Sequence, residues 1–261
     1  MRILIKTKQE IEDMKEGGQI LGLILDELRA HIVPGMTTKD IEERADKLFQ
    51  RFHVKPSFLG YKGYPSSICV SVNDEVVHGI PSANKFLKEG DIVSVDAGVF
   101  HKNLHTDSAI AVGVGKISSE MKKFLTAGEE ALYKVISIIR PGIKLSEVSE
   151  VIESTLKQNG CSPVHDLTGH GVGRFLHEDP MVLNYVDPHA ENVTLKEGMT
   201  LAIEPIYTNG SNKIKVKSDR WTIVTRDGSM SSQVEHTLAV MANGCEIITK
   251  RPEMDPIYYK I

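Results

Sequence analysis

Apolar residues follow two alternating rhythms along this chain, and each rhythm occurs twice. Ile11, Met14, Gly18, Leu21, Leu25 and Leu28 recur at steps of three and four, which predicts an amphipathic helix over 10–31 stopped by Pro34-Gly35. Thr37 then offers an N-cap with Asp40 three residues on, a capping box that opens a second helix with Ile41, Ala45, Leu48 and Phe52 on one face. The arrangement returns later: Ser118 or Ser119 starts a helix through Phe124, Leu132, Val135 and Ile139, Pro141-Gly142 ends it, and residues 146–158 form another. β-rich runs bounded by Gly, Asn or Asp predict strands at 67–72, 91–100, 106–114, 199–207, 221–225 and 231–241. Helices and strands alternate in blocks. This predicts an α+β fold, with helices covering one face of a curved, mainly antiparallel sheet.

A repeated segment ties the two blocks together. Lys88-Glu89-Gly90 leads into an apolar strand ending on Asp96, and Lys196-Glu197-Gly198 leads into one ending on Glu204. Nearly the same offset relates Pro34-Gly35 to Pro141-Gly142, so two halves, about 10–115 and 118–248, share one plan within a single domain over 1–261. If the halves pack about a pseudo-two-fold axis, Asp96 and Glu204 approach from opposite sides, and two buried carboxylates need a compensating cation. The 261-residue length is enough to bury roughly 70–75% of the unfolded surface. A net charge of −4 argues against a whole-surface nucleic-acid or membrane binder. Cys69, Cys161 and Cys245 are odd in number, far apart and without a C-x-x-C pair, which favours reduced thiols in a cytoplasmic setting. The apolar run at Ile3-Leu4-Ile5 is too short for a secretory signal, and no stretch approaches 18 apolar residues, so a soluble, untargeted protein is expected.

The candidate chemistry lies at the strand ends. Asp96 and Asp107 flank an expected hairpin with Lys102-Asn103 near its tip, and antiparallel pairing can bring both carboxylates to one face. Glu204 and Glu235 form a second pair, separated by a longer stretch that includes an inserted β-excursion at roughly 209–228. Between the pairs, His170 is held between Gly169 and Gly171, where the backbone can approach a ligand closely, and His177 follows. Taken singly, each acid reads as a solvated strand end. Taken together, four carboxylates and one imidazole suit two closely spaced divalent first-row ions, and are too oxygen-rich for a structural zinc site.

These residues resemble the methionine aminopeptidases, specifically the short type I form, from about Lys6 to Ile248. The most specific stretches are Gly60-Tyr61-Lys62-Gly63-Tyr64-Pro65, Ser71 through Pro81, the Asp96 and Asp107 pair, Gly169-His170-Gly171-Val172-Gly173, Ile203-Glu204-Pro205 and Gln233-Val234-Glu235-His236-Thr237. The resemblance implies the pita-bread fold and removal of initiator methionine from new chains. It also implies a dinuclear centre in which Asp107 and Glu235 bridge, His170 and Glu204 complete one metal, and Asp96 completes the other. Fe2+, Mn2+, Co2+ and Zn2+ all tolerate such ligands. The chain lacks the insertion between His177 and Glu204 that marks type II and the N-terminal zinc-binding extension of eukaryotic cytosolic enzymes, so a bacterial or organellar source is expected.

The mechanism expected of such a site uses a metal-bridging hydroxide as nucleophile, because two cations acidify a shared water. Glu204 resembles the family's proton shuttle, His177 would donate to the scissile carbonyl oxygen, and His78 would contact the scissile amide. Tyr61, Tyr64, Cys69, His78 and Trp221 match positions that line the methionine pocket. Two positions depart from the family pattern: Leu176 stands where an aromatic is usual, and Phe58 where a small residue is common. The nearest rival is an X-Pro peptidase of the same fold, whose usual extra N-terminal domain is missing here. A non-catalytic module binding ribosomes or chromatin is the other, and such relatives have generally lost metal ligands. Lys213, Lys215 and Lys217 alternate with Ile214 and Val216, giving either a lysine-protected hairpin edge or a basic finger for ribosomal RNA on a monomeric enzyme.

Overall fold

The computed structural model describes residues 2–252, so the expected single domain over 1–261 reaches beyond the described residues at both ends. Four helices carry the alternating apolar faces: α1 (Lys8–His31), α2 (Thr38–Arg51), α3 (Ser119–Ile138) and α4 (Leu145–Gln158). Their N-termini are set by short-range chemistry. Thr7 and Glu10 close a capping box on α1, Thr37 and Asp40 close the expected one on α2, and the Ser118 hydroxyl caps α3 by accepting from Met121 N–H. Each satisfied cap contributes about 1 kcal/mol.

The first half packs α1 and α2 on a sheet containing Ile68–Val72, Ile92–His101 and Leu104–Gly113, with Leu21, Leu25, Ile41, Val70, Val95 and Ile110 in one buried cluster. The second half packs α3 and α4 against Thr200–Ile203 and His236–Met241, burying Leu132, Val148, Ile152, Leu201, Leu238 and Val240. All ladders between these strands are antiparallel, as expected. The halves match in detail. Gly35 (φ 88°) and Gly142 (φ 95°) occupy left-handed turns whose N–H groups donate to Leu87 and Leu195 carbonyls at 2.8 and 2.9 Å. Gly90 (φ 93°) and Gly198 (φ 85°) repeat this in the Lys-Glu-Gly turns, donating to Val114 and Val240 carbonyls at 2.9 Å each.

Two expected strands are broken. The 199–207 run divides into Thr200–Ile203 and Ile206–Thr208, and the 231–241 run into Ser231–Gln233 and His236–Met241. Pro205 has no N–H for a ladder, so the chain changes sheets there, with Glu204 at the break. The inserted excursion is a short hairpin, Ile214–Val216 paired with Ile223–Thr225, and the latter strand also pairs with Glu75–Val77. No helix among the described residues is long and apolar enough to cross a membrane.

Candidate metal centre and substrate pocket

The hairpin of the first half sets two of the acids. His101 pairs with Leu104 across a two-residue turn in which Lys102 (φ 48°) and Asn103 (φ 63°) are both left-handed, the geometry that matches strand twist. In this register Asp96 lies opposite Ala109 and Gly98 opposite Asp107, so the two carboxylates share a face one pleat apart. A Cβ at Gly98 would come within 2.7 Å of Ser57 Cβ and 3.0 Å of Phe58 Cε1, so the glycine leaves room for the segment that walls the site.

The second half reaches the same place through its strand breaks. Glu235 N–H donates to the Ala109 carbonyl at 2.9 Å, the Thr237 hydroxyl donates to the Asp107 carbonyl at 2.7 Å, and the Ser108 hydroxyl donates to the Glu235 carbonyl at 2.7 Å. These bonds sew the 235–237 segment to the hairpin and set Glu235 beside Asp107. Glu204 arrives from the other break.

His170 lies on Thr168–Gly171, a strand the sequence pattern did not reveal. Its Nδ1 is 2.8 Å from the Gly171 carbonyl, which fixes Nδ1–H as the donor and leaves the Nε2 lone pair 3.7 Å from Glu204 Oε1. Ligand atoms of Asp107, His170 and Glu235 all lie within 4.8 Å of one another. All five groups are buried. Asp96 Oδ1, Asp107 Oδ1 and Glu235 Oε1 have no hydrogen-bond partner, a costly state for buried carboxylate oxygens that divalent cations would relieve. Burial first, and then the neighbouring acids, push Asp107, Glu204 and Glu235 well above the ordinary carboxylate range, while burial raises Asp96. Burial also pushes His170 down to about 4, keeping its imidazole neutral, the form that can ligate a metal. The donor set fits divalent ions.

A cavity of about 310 Å³ opens from these acids. Every site residue expected from the sequence lines it: Asp96, Asp107, His170, Glu204 and Glu235 at one end, with Phe58, Tyr61, Tyr64, Cys69, His78, Leu176, His177 and Trp221 around the rest. Phe58, Tyr64, Cys69 and Leu176 form one buried apolar cluster against which Tyr61 and Trp221 pack. Tyr64 meets Trp221 edge-on at 5.1 Å between ring centres, and Trp221 meets His78 at 6.4 Å. His78 has a left-handed backbone (φ 58°), which a non-glycine residue adopts only under local constraint. The His177 ring stacks on Tyr61 at 5.2 Å, with Nδ1 3.0 Å from the Tyr61 hydroxyl. One edge of His177 reaches solvent, yet the surrounding protein and then His170 hold its pKa below the ordinary value, so the ring is neutral.

Among the acids themselves, Gln233 was missed. The Gln233 amide nitrogen lies 3.1 Å from Glu204 Oε2, 3.4 Å from Glu235 Oε2 and 3.5 Å from Asp96 Oδ2. Its signal in the sequence is the two-residue spacing from Glu235, which puts both on one face of an extended segment. Lys62, Asp166 and Thr168 also line the cavity without having been singled out.

Known proteins resemble this chain over nearly its whole length. The profile of metallopeptidase family M24 matches residues 12–242. Methionine aminopeptidase 1 of Bacillus subtilis is 43% identical over 248 residues, covering 95% of this chain and 99% of the relative. The crystal structure of methionine aminopeptidase from Thermotoga maritima superposes with a TM-score of 0.93 at 46% identity, over 95% of this chain and 100% of that one. Prolidase from Pyrococcus furiosus shares the fold at a TM-score of 0.76, but at 22% identity and over 65% of its own length. The chain therefore belongs to metallopeptidase family M24, with the pita-bread fold, and within it to the type I methionine aminopeptidases.

Proposed function

We propose that this enzyme removes the initiator methionine from nascent proteins and peptides, using two divalent ions held by Asp96, Asp107, His170, Glu204 and Glu235. The observation that carries the reading is the set of orphaned oxygens on Asp96, Asp107 and Glu235 beside His170, in a cavity that also has Phe58, Tyr61, Tyr64, Leu176 and Trp221 in its wall. When bound, such ions neutralise the carboxylates and supply an acidified water as nucleophile near neutral pH.

The protein's own groups do the rest. Glu204, buried beside the other acids, takes a proton and returns it to the leaving amine. The Tyr61 hydroxyl donates to His177 Nδ1, which leaves Nε2–H to meet the carbonyl oxygen as charge develops on it. His78 contacts the scissile amide, and the Asp96 side of the centre receives the substrate's free amine, which makes the enzyme an exopeptidase. Phe58, Tyr61, Tyr64, Cys69, His78, Leu176 and Trp221 enclose the methionine side chain. Residues 10–115 and 118–248 act as two repeats of one catalytic domain, monomeric and working in the cytoplasm on emerging chains. Glu204→Gln should abolish turnover of Met-Gly-Met-Met while calorimetry still finds at least one metal bound. Activity within tenfold of the parent would sink the assignment. An X-Pro dipeptide cleaved faster than this tetrapeptide would favour the prolidase reading, and anaerobic titration with Fe2+, Mn2+, Co2+ and Zn2+ identifies the working ion.

Ribosome contact rests on the excursion hairpin. Lys213, Lys215 and Lys217 are all exposed, but Lys217 reaches back to Glu75 at 3.2 Å, so the free cationic face is narrower than three lysines. The informative variant is therefore Lys213→Ala/Lys215→Ala. It should weaken ribosome co-sedimentation and flatten its salt dependence without changing tetrapeptide cleavage. Equal binding by parent and variant at low salt would leave only edge protection for these lysines.

A further inference from the structure

His177 sits on a short arc whose internal bonds do not suffice to fix it. The arc leaves Thr168–Gly171 and rejoins the sheet at Glu178–Leu183. Within it, Gly173 N–H donates to the Phe175 carbonyl at 3.0 Å and Phe175 N–H donates to Glu178 Oε1 at 2.9 Å. The second bond closes a ring around His177, and it holds only while the Glu178 carboxylate stays in place.

That carboxylate is held from the other end of the chain. Lys6 Nζ forms an ion pair with Glu178 Oε2, with side chains only 1% and 2% exposed, and Lys6 also donates to the Leu4 carbonyl at 3.2 Å. The Lys6 stem crosses Gly173 so closely that a Cβ there would collide with Lys6 Cε. A second ion pair grips the other flank of the arc: the Arg174 fork reaches Glu10 at 2.6 and 2.9 Å, while Glu10 Oε2 accepts from Thr7 N–H at 2.7 Å as part of the α1 cap. Arg2 N–H donates to Asp179 Oδ2 at 2.7 Å, and Lys6 N–H donates to the Gly198 carbonyl at 2.8 Å. Residues 2–10 thus bind both sides of His177 and anchor themselves on the turn that leads toward Glu204.

Stability alone is a poor explanation for the buried pair, because taking two charges out of water offsets most of what their attraction returns. Fixed geometry is a better one, since a donor misplaced by about 1 Å loses much of its effect on a transition state. We propose that Lys6 and Glu178 are positioning residues for the reaction proposed above, a clasp by which the N-terminal segment holds His177 against the scissile carbonyl. This rests on the reading of His177 as that donor.

The test is a double-mutant cycle on the metal-loaded enzyme. Lys6→Met/Glu178→Gln, which removes both charges and keeps the Lys6 stem, should lower kcat on Met-Gly-Met-Met about 10- to 50-fold, with KM changed less than about threefold. Metal stoichiometry should be unchanged. In a His177→Ala background the same double substitution should change kcat by less than about twofold, because the group being positioned is gone. Should the buried variant not fold, Arg174→Met on the surface carries the same cycle with a loss of about 2- to 5-fold. Full additivity with His177→Ala, loss of metal, an effect confined to KM or an unchanged kcat would each overturn the clasp. A costly His177→Ala with additive clasp variants removes this inference only, whereas a silent His177→Ala removes the reading of His177 and the clasp with it.

Discussion

At the scale of single residues, Gln233 shows how the centre is prepared for cations. One amide nitrogen carries two hydrogens, yet three carboxylate oxygens from Asp96, Glu204 and Glu235 lie within 3.5 Å of it. The amide therefore gathers acids that would otherwise repel one another, while Asp96 Oδ1 and Glu235 Oε1 keep no hydrogen-bond partner. A neutral donor suits this task better than a lysine, since a fixed positive charge there would compete with the ions for the same carboxylates. Gln233→Met, which keeps the volume and removes the donor, should weaken metal affinity about 10- to 100-fold, the scale of a lost outer hydrogen bond on ligating carboxylates. Activity measured against free metal concentration reads this directly. An unchanged half-saturation point would mean that the acids are placed by the backbone alone.

At the scale of elements, the site sits where strands begin, break or turn. The Asp96 and Asp107 pair was legible because alternation, bounding residues and the Lys102-Asn103 tip all agree with one hairpin register. The helices were legible to within a few residues because their apolar positions recur at helical spacing, and α1, α2 and α3 also carry side-chain caps. What the pattern concealed has physical causes. Thr168–Gly171 is three-quarters Gly-His-Gly, with little intrinsic strand preference, and it is a strand because Glu178–Leu183 and Thr200–Ile203 pair with it. Apolar continuity across Glu204 and Glu235 masked the breaks that aim both acids, although Pro205 was a readable warning. The pocket departures belong to this scale too. Phe58 and Leu176 come from segments on opposite flanks of the hairpin, yet share one buried cluster with Tyr64 and Cys69, as an exchange of bulk between the two positions requires. Phe58→Cys alone should enlarge the pocket and lower the preference for methionine over shorter aliphatic residues, and Leu176→Phe added to it should restore part of the loss. Strict additivity of kcat/KM ratios over that cycle would show that the two side chains do not share the cavity.

At the scale of the whole molecule, the fold brings four acids from two halves into one buried space, so stability, metal and pH are linked. In the metal-free protein Asp96, Asp107, Glu204 and Glu235 have folded-state pKa values above their unfolded ones, chiefly through burial. A raised pKa favours folding below the unfolded value and loses that contribution as pH rises through the folded value. His170 and His177 act oppositely: both are depressed, so their contribution is complete above their unfolded value of 6.5 and is lost only on acidification. Above roughly pH 7 the histidines are neutral in both states and the acids alone set the slope. The metal-free enzyme should therefore lose thermal stability as pH rises above about 7, where Asp96 titrates, while the metal-loaded enzyme should lose much less. Because ions displace protons from these carboxyls, binding should release protons, and apparent affinity should rise across the same interval. Calorimetric metal titrations in two buffers of different ionisation enthalpy measure the released protons, and melting curves with and without metal measure the slope. Metal binding without proton release at pH 7, together with parallel melting curves, would show that the acids are already ionised in the metal-free fold and that their charge is balanced by the protein itself.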